Sequence, residues 1–92
     1  MPKKAGNTWK QQQLHLLRYQ YGPYVRKWAE ATDDRLIFCN TFRQMEEALR
    51  SLPAEPHVYV RVAMLRQMKE DQALMGRIIR KFEVYAKREA AL

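Results

Sequence analysis

Ninety-two residues make one domain, and a chain that short buries only about 60 to 65% of its unfolded surface, so its own core is small. Apolar residues nonetheless make up 47% of it, with two Trp, five Tyr and three Phe, which excludes a disordered tail and leaves apolar surface for a partner. Seventeen Lys and Arg against ten Asp and Glu give a net charge of +7, which favours an anionic neighbour: nucleic acid, lipid headgroups or an acidic protein patch.

The start, residues 1–13, carries Lys3, Lys4 and Lys10 but no arginine and no apolar core, so it matches neither a secretory signal nor an Arg-rich transit peptide. Residues 1–7 read as a flexible tail, and any organelle address is expected to be internal. Thr8 and Gln11 have capping-box spacing and open a predicted helix over 8–20, with Leu14, Leu17 and Tyr21 on its apolar face. Gly22-Pro23 is expected to end that helix and start a short second one over 23–31, carrying Tyr24, Val25 and Trp28. Thr32-Asp33-Asp34 then reads as a turn.

Arg35 to Cys39 has strand composition, but no second alternating run pairs with it, so an extended buried connector is expected. Asn40 or Thr41, the latter with Gln44, caps a predicted third helix bearing Phe42, Met45, Leu49 and Leu52, with Pro53 and Pro56 at its end. From His57 the pattern is helical almost to the terminus. Val58, Val62 and Leu65 form one stripe, and Met75, Ile78, Ile79, Phe82, Tyr85 and Ala86 another. Lys69-Glu70-Asp71 and Gly76 point to two segments meeting in a bend near 70. The whole is all-α: four to five helices over a single domain 1–92, a small non-bundle or partly extended arrangement stabilised by partner subunits. The longest apolar run, Leu36 to Cys39, is four residues, far short of a membrane span.

Residues that carry chemistry are scarce. His15 and His57 stand 42 residues apart without Cys or Glu at ligand spacing, so no metal site is expected. Cys39, the single cysteine, rules out an internal disulfide framework and fits a reducing compartment or the mitochondrial matrix; its neighbours Ile37 and Phe38 make it buried and inert. Asp33-Asp34 reads as a cap plus an exposed charge rather than an acid/base pair. The three glycines are scattered and form no phosphate loop, so neither catalysis nor a cofactor is expected. Partner anchors are Tyr24, Trp28, Leu36, Phe38, Phe42, Leu49 and Leu52, packing internally or against a partner. An anionic partner or lipid would meet Arg61, Arg66, Arg77, Arg80, Lys81 and Arg88. Acids such as Glu46, Glu47, Glu70, Asp71, Glu83 and Glu89 are interleaved with the bases, which favours a protein or lipid surface over RNA. A mitochondrial ribosomal or other RNA-binding protein is the alternative.

The order of motifs resembles the small matrix-side subunit, often called subunit seven or the ubiquinone-binding protein family, of ubiquinol–cytochrome c reductase, respiratory complex III. The similarity covers roughly 14–68: the aromatic tract Tyr19 to Trp28, the turn Asp33, Asp34 and Leu36, the helix end Glu47, Ala48, Leu49, Arg50, Leu52 and Pro53, and Arg61 and Leu65 beyond it. After Met68 the chain departs, lacking the family's Leu-Pro-x-x-x-Trp and Tyr-Leu-x-Pro-Tyr segments, which puts contacts made by that region in doubt. The resemblance implies a non-catalytic accessory subunit of the electron-transport chain. It would lie peripherally on the matrix side of the mitochondrial inner membrane, docked against cytochrome b and the core subunits. It would hold no haem or metal, support assembly and the surroundings of the matrix-side quinone site, and meet anionic lipid such as cardiolipin.

Overall fold

The computed structural model describes residues 8–91, so the expected tail at 1–7 lies outside the described residues. The all-α class holds, but with three helices in place of four to five: α1 (Trp9–Lys27), α2 (Asp34–Arg50) and α3 (Val58–Ala91). Both connections are short, and α2 is the central helix, antiparallel to α1 on one side and to α3 on the other.

Thr8 opens α1 as expected, its hydroxyl accepting the Gln11 N–H at 3.3 Å. The helix does not stop at Gly22-Pro23 but runs through Pro23 to Lys27. Two features permit this. A residue before proline is pushed out of the helical region partly by its Cβ, which Gly22 lacks. Tyr21 and Tyr24, on either side of the break, both pack edge-on against Phe38 at 5.9 Å, so tertiary contacts hold the helix together across the lost hydrogen bond.

The expected extended connector, Arg35 to Cys39, is instead the first turns of α2. Its N-cap is Asp33, whose carboxylate accepts the Arg35 N–H at 3.1 Å, not Asn40 or Thr41. Thr41 sits inside the helix and donates its hydroxyl to the Ile37 carbonyl at 2.8 Å. The helical spacing of Phe38, Cys39, Phe42, Met45 and Leu49 puts five apolar residues where α1 and α3 cover them. Burial of that face overrides the strand composition of four residues.

The bend expected near 70 is absent: α3 is one continuous helix of 34 residues, about 51 Å long, against a longest molecular dimension of 55 Å. Nothing between Lys69 and Gly76 removes a backbone donor. The cost of one glycine, about 1 kcal/mol, is small beside the burial of Met68, Met75 and Ile78 on either side of it.

One end of the molecule is fastened by polar contacts. The Lys10 ammonium donates to the Arg50 and Leu52 carbonyls, both at 2.9 Å, and closes the C-terminus of α2. The Trp9 N–H donates to Glu55, Arg61 pairs with Glu55 at 3.3 Å, and the Arg61 guanidinium lies 5.5 Å from the Trp9 ring centre. His57 caps α3 through Nδ1, which accepts the Tyr59 N–H at 3.2 Å. The other end is aromatic, and it forms the site described next.

Candidate docking surfaces

Where the end of α1, the start of α2 and the second half of α3 meet, Trp28 stands between Phe38 at 5.1 Å and Phe82 at 5.6 Å, with Tyr24 against it at 5.2 Å. Phe82 in turn meets Tyr85 edge-on at 5.6 Å. Tyr24, Trp28, Phe82 and Tyr85 wall a cleft of about 390 Å³ that also carries Lys27 and Arg35 from the hairpin and Glu83 and Glu89 from α3, with Phe38 buried behind the rings. Arg35 is held in place twice over. It pairs with Asp33 through two hydrogen bonds of 2.9 Å, and its guanidinium lies 4.7 Å from the Phe82 ring centre. The Arg35 contacts hold the Asp33 carboxyl down to about 2. Lys81 bonds Asp34 at 2.6 Å, and that bond is the main reason its ammonium is held above its ordinary pKa. An aromatic floor with charges of both signs at the rim suits a peptide side chain and its flanking backbone.

A second, smaller cleft of about 270 Å³ lies between α2 and α3, lined by Met45, Met64 and Met68 with Gln44, Gln67 and Asp71. Methionine walls adapt to many shapes.

The seven expected anchors divide. Phe38 and Leu49 are wholly buried, Trp28 and Phe42 nearly so, and all four build the chain's own core. Tyr24 and Leu52 are half-buried against that core, and Leu36 is exposed on α2. Of the six expected anion-binding residues, Arg61 and Lys81 are already paired within the chain. Arg66, Arg77, Arg80 and Arg88 are exposed and make no ion pair among the described residues.

Reading the sequence did not single out Arg35, which lay in the supposed connector, and at the apolar start of α3 it named the stripe Val58, Val62 and Leu65 but not Tyr59 and Val60. Val58, Tyr59, Val60, Val62 and Leu65 are all exposed there. The signal was present: their positions spread around most of the helix circumference, so one neighbouring helix cannot cover them.

The remaining chemistry is muted. Burial pushes the Cys39 thiol up, and its sulfur points at the Trp28 carbonyl at 3.6 Å, away from solvent. No three His, Cys, Asp or Glu side chains converge to hold a metal among the described residues, and no helix there is long and apolar enough to cross a membrane. Compared with protein-family models, curated proteins and solved structures, the chain has no match in any of the three.

Proposed function

We propose that this chain is a non-catalytic helical adaptor, an accessory subunit that docks onto a larger assembly. The observation that carries this reading is the root of α3. Five large apolar residues lie within two turns, Tyr59 is 78% and Val58 58% exposed, and the chain's own hairpin covers only one side of them. A helix apolar all round belongs inside something, and contiguous exposed apolar surface marks an interaction site. Leu36 and Ile37 on α2 add to the surface left for a partner.

The sequence resemblance over 14–68 is what supports complex III as that assembly, on the matrix side of the mitochondrial inner membrane, with cytochrome b and the core subunits as the proposed neighbours. The test is migration of the tagged chain on a native gel of mildly solubilised mitochondria, for the wild type and for Leu65→Asp. Leu65 is 43% exposed, so the substitution leaves the fold intact. Trp28→Ala is a poor probe by comparison, because Trp28 belongs to the core and its loss unfolds the chain. Co-migration of the wild type with cytochrome b, and its loss in Leu65→Asp, is the expected result. Migration with ribosomal proteins would replace the respiratory assignment.

A further inference from the structure

Because α3 is unbroken, the 100° advance per residue places ten of its positions within one strip about 80° wide: Tyr59, Val62, Arg66, Lys69, Ala73, Arg77, Arg80, Val84, Lys87 and Ala91. All ten are exposed. Five are cations and five apolar, and none is acidic or neutral-polar. Glu70 and Glu83, the nearest acids on the helix, fall on opposite flanks of the row. None of the five cations makes an ion pair among the described residues, although the chain's other bases include four that do: Arg18, Arg35, Arg61 and Lys81. Arg80 lies instead along the open side of Gly76.

We propose that this row is a docking surface for an anionic phospholipid bilayer, the cations reaching headgroup phosphates, with Tyr59 and Val62 ahead of them and Val84 among them entering the layer. Three features choose this occupant. The cations are unneutralised within the chain, so their complement is an anion outside it. The row runs unbroken for about 48 Å along one side of a continuous helix, so its cations face a single surface rather than several separate ones. The residues between the cations are aliphatic. Valine and alanine offer a nucleic-acid base no ring to stack on, whereas aliphatic side chains and a tyrosine suit the headgroup boundary. The row shares Tyr59 and Val62 with the apolar root of α3, and Val58 and Leu65 flank it; its cations, Arg66 to Lys87, lie beyond that root, so they are left for a bilayer whichever assembly the chain joins.

The test is sedimentation of the full chain with vesicles of phosphatidylcholine alone and of phosphatidylcholine with about a third phosphatidylglycerol. The wild type is expected to bind only the anionic vesicles and to lose that binding as salt shortens the range of the surface field. Each near-surface cation contributes about a fivefold gain, so Arg66→Gln/Arg77→Gln/Arg80→Gln is expected to bind about a hundredfold more weakly. Arg26→Gln/Arg43→Gln/Arg50→Gln, with the same loss of charge elsewhere on the surface, is expected to lose far less. Val62→Ser/Val84→Ser, with all charges kept, is expected to bind severalfold more weakly. Wild type that ignores anionic vesicles, or equal losses in the two glutamine triples, overturns the proposal. Binding to a duplex RNA probe without binding to vesicles overturns it too, and assigns the row to nucleic acid. Leu65→Ser, which removes apolar surface from the root of α3 without setting a carboxylate one turn from Lys69, should weaken docking and keep vesicle binding, and the Arg66/Arg77/Arg80 triple should keep docking, so failure of one reading is separable from failure of the other.

Discussion

The α1–α2 hairpin and α3 use apolar residues in opposite ways. In the hairpin four large rings face inward: Tyr21, Trp28, Phe38 and Phe42 are buried against one another and against aliphatic neighbours. Along α3 only Met68, Met75 and Ile78 are buried, while Val58, Tyr59, Val60, Val62, Leu65, Val84 and Tyr85 remain outside. Leu16, Tyr19, Leu36 and Ile37 are the hairpin's exposed exceptions, so the contrast is sharpest between its ring cluster, where an apolar residue reports stability, and the outer face of α3, where it reports availability.

The largest expected break in that comparison comes from truncating one apolar side chain in each region. Phe38→Ala removes a ring with no exposure from the centre of the aromatic cluster and should cost about 3 to 5 kcal/mol by denaturant melt. Val84→Ala, 45% exposed on α3, should stay within about 0.5 kcal/mol of wild type. Equal costs would mean that α3 is covered in the isolated chain.

Thiol labelling sharpens the same contrast. Cys39 is buried with its pKa raised, so a thiol reagent should modify the folded chain at least about tenfold more slowly than the unfolded one. A cysteine introduced by Val84→Cys should react at the unfolded rate. Fast labelling of Cys39 would show a hairpin that opens readily.

The two helical glycines separate the regions on a smaller scale. At Gly76 an added Cβ meets only the far end of Arg80, at 3.4 Å, so Gly76→Ala should stabilise by about 0.5 to 1 kcal/mol. At Gly22 the new Cβ meets Arg26 at an ordinary 3.5 Å, but it also crowds the ring of Pro23, so Gly22→Ala should bring no gain and a lower melting temperature. Stabilisation at both sites would remove the role assigned to Gly22.

The smallest expected effect is at the α2 cap. The Asp33 carboxyl is held at about 2, below its ordinary value near 4, so its contribution is present above the ordinary value and fades as pH falls from about 4 toward 2. Asp33→Asn keeps a capping oxygen and should flatten that part of the pH dependence of helicity, read by circular dichroism.

The helical class and most of the core were legible because Leu14, Leu17 and Tyr21, and Phe42, Met45 and Leu49, repeat at helical spacing without interruption. Three places were not legible, and for one physical reason: Gly22-Pro23, Arg35 to Cys39 and the stretch from Lys69 to Gly76 carry local signals that tertiary packing overrides. Phe38 is central to the first two, since its ring holds α1 together across the proline and draws α2 back to Asp34. Such a contact lies between residues more than a dozen apart in sequence and leaves no periodic trace. The cleft was half visible, its rings from spacing but its Arg35 rim hidden by the misread connector. The cation row was readable in principle from i+3 and i+4 steps, yet it becomes one strip only once α3 is known to be unbroken.

The length of α3 reaches past the hairpin. Lys81 and Phe82 meet the start of α2 through Asp34 and Arg35, and residues 83–91, all exposed, carry the helix about 14 Å further. On the way Tyr85, Ala86 and Glu89 extend the α3 wall of the aromatic cleft, which Tyr24 and Lys27 of α1 also line. An occupant of that cleft would therefore touch the end of α1 and the end of α3 at once, and join two elements that the chain itself connects only through α2.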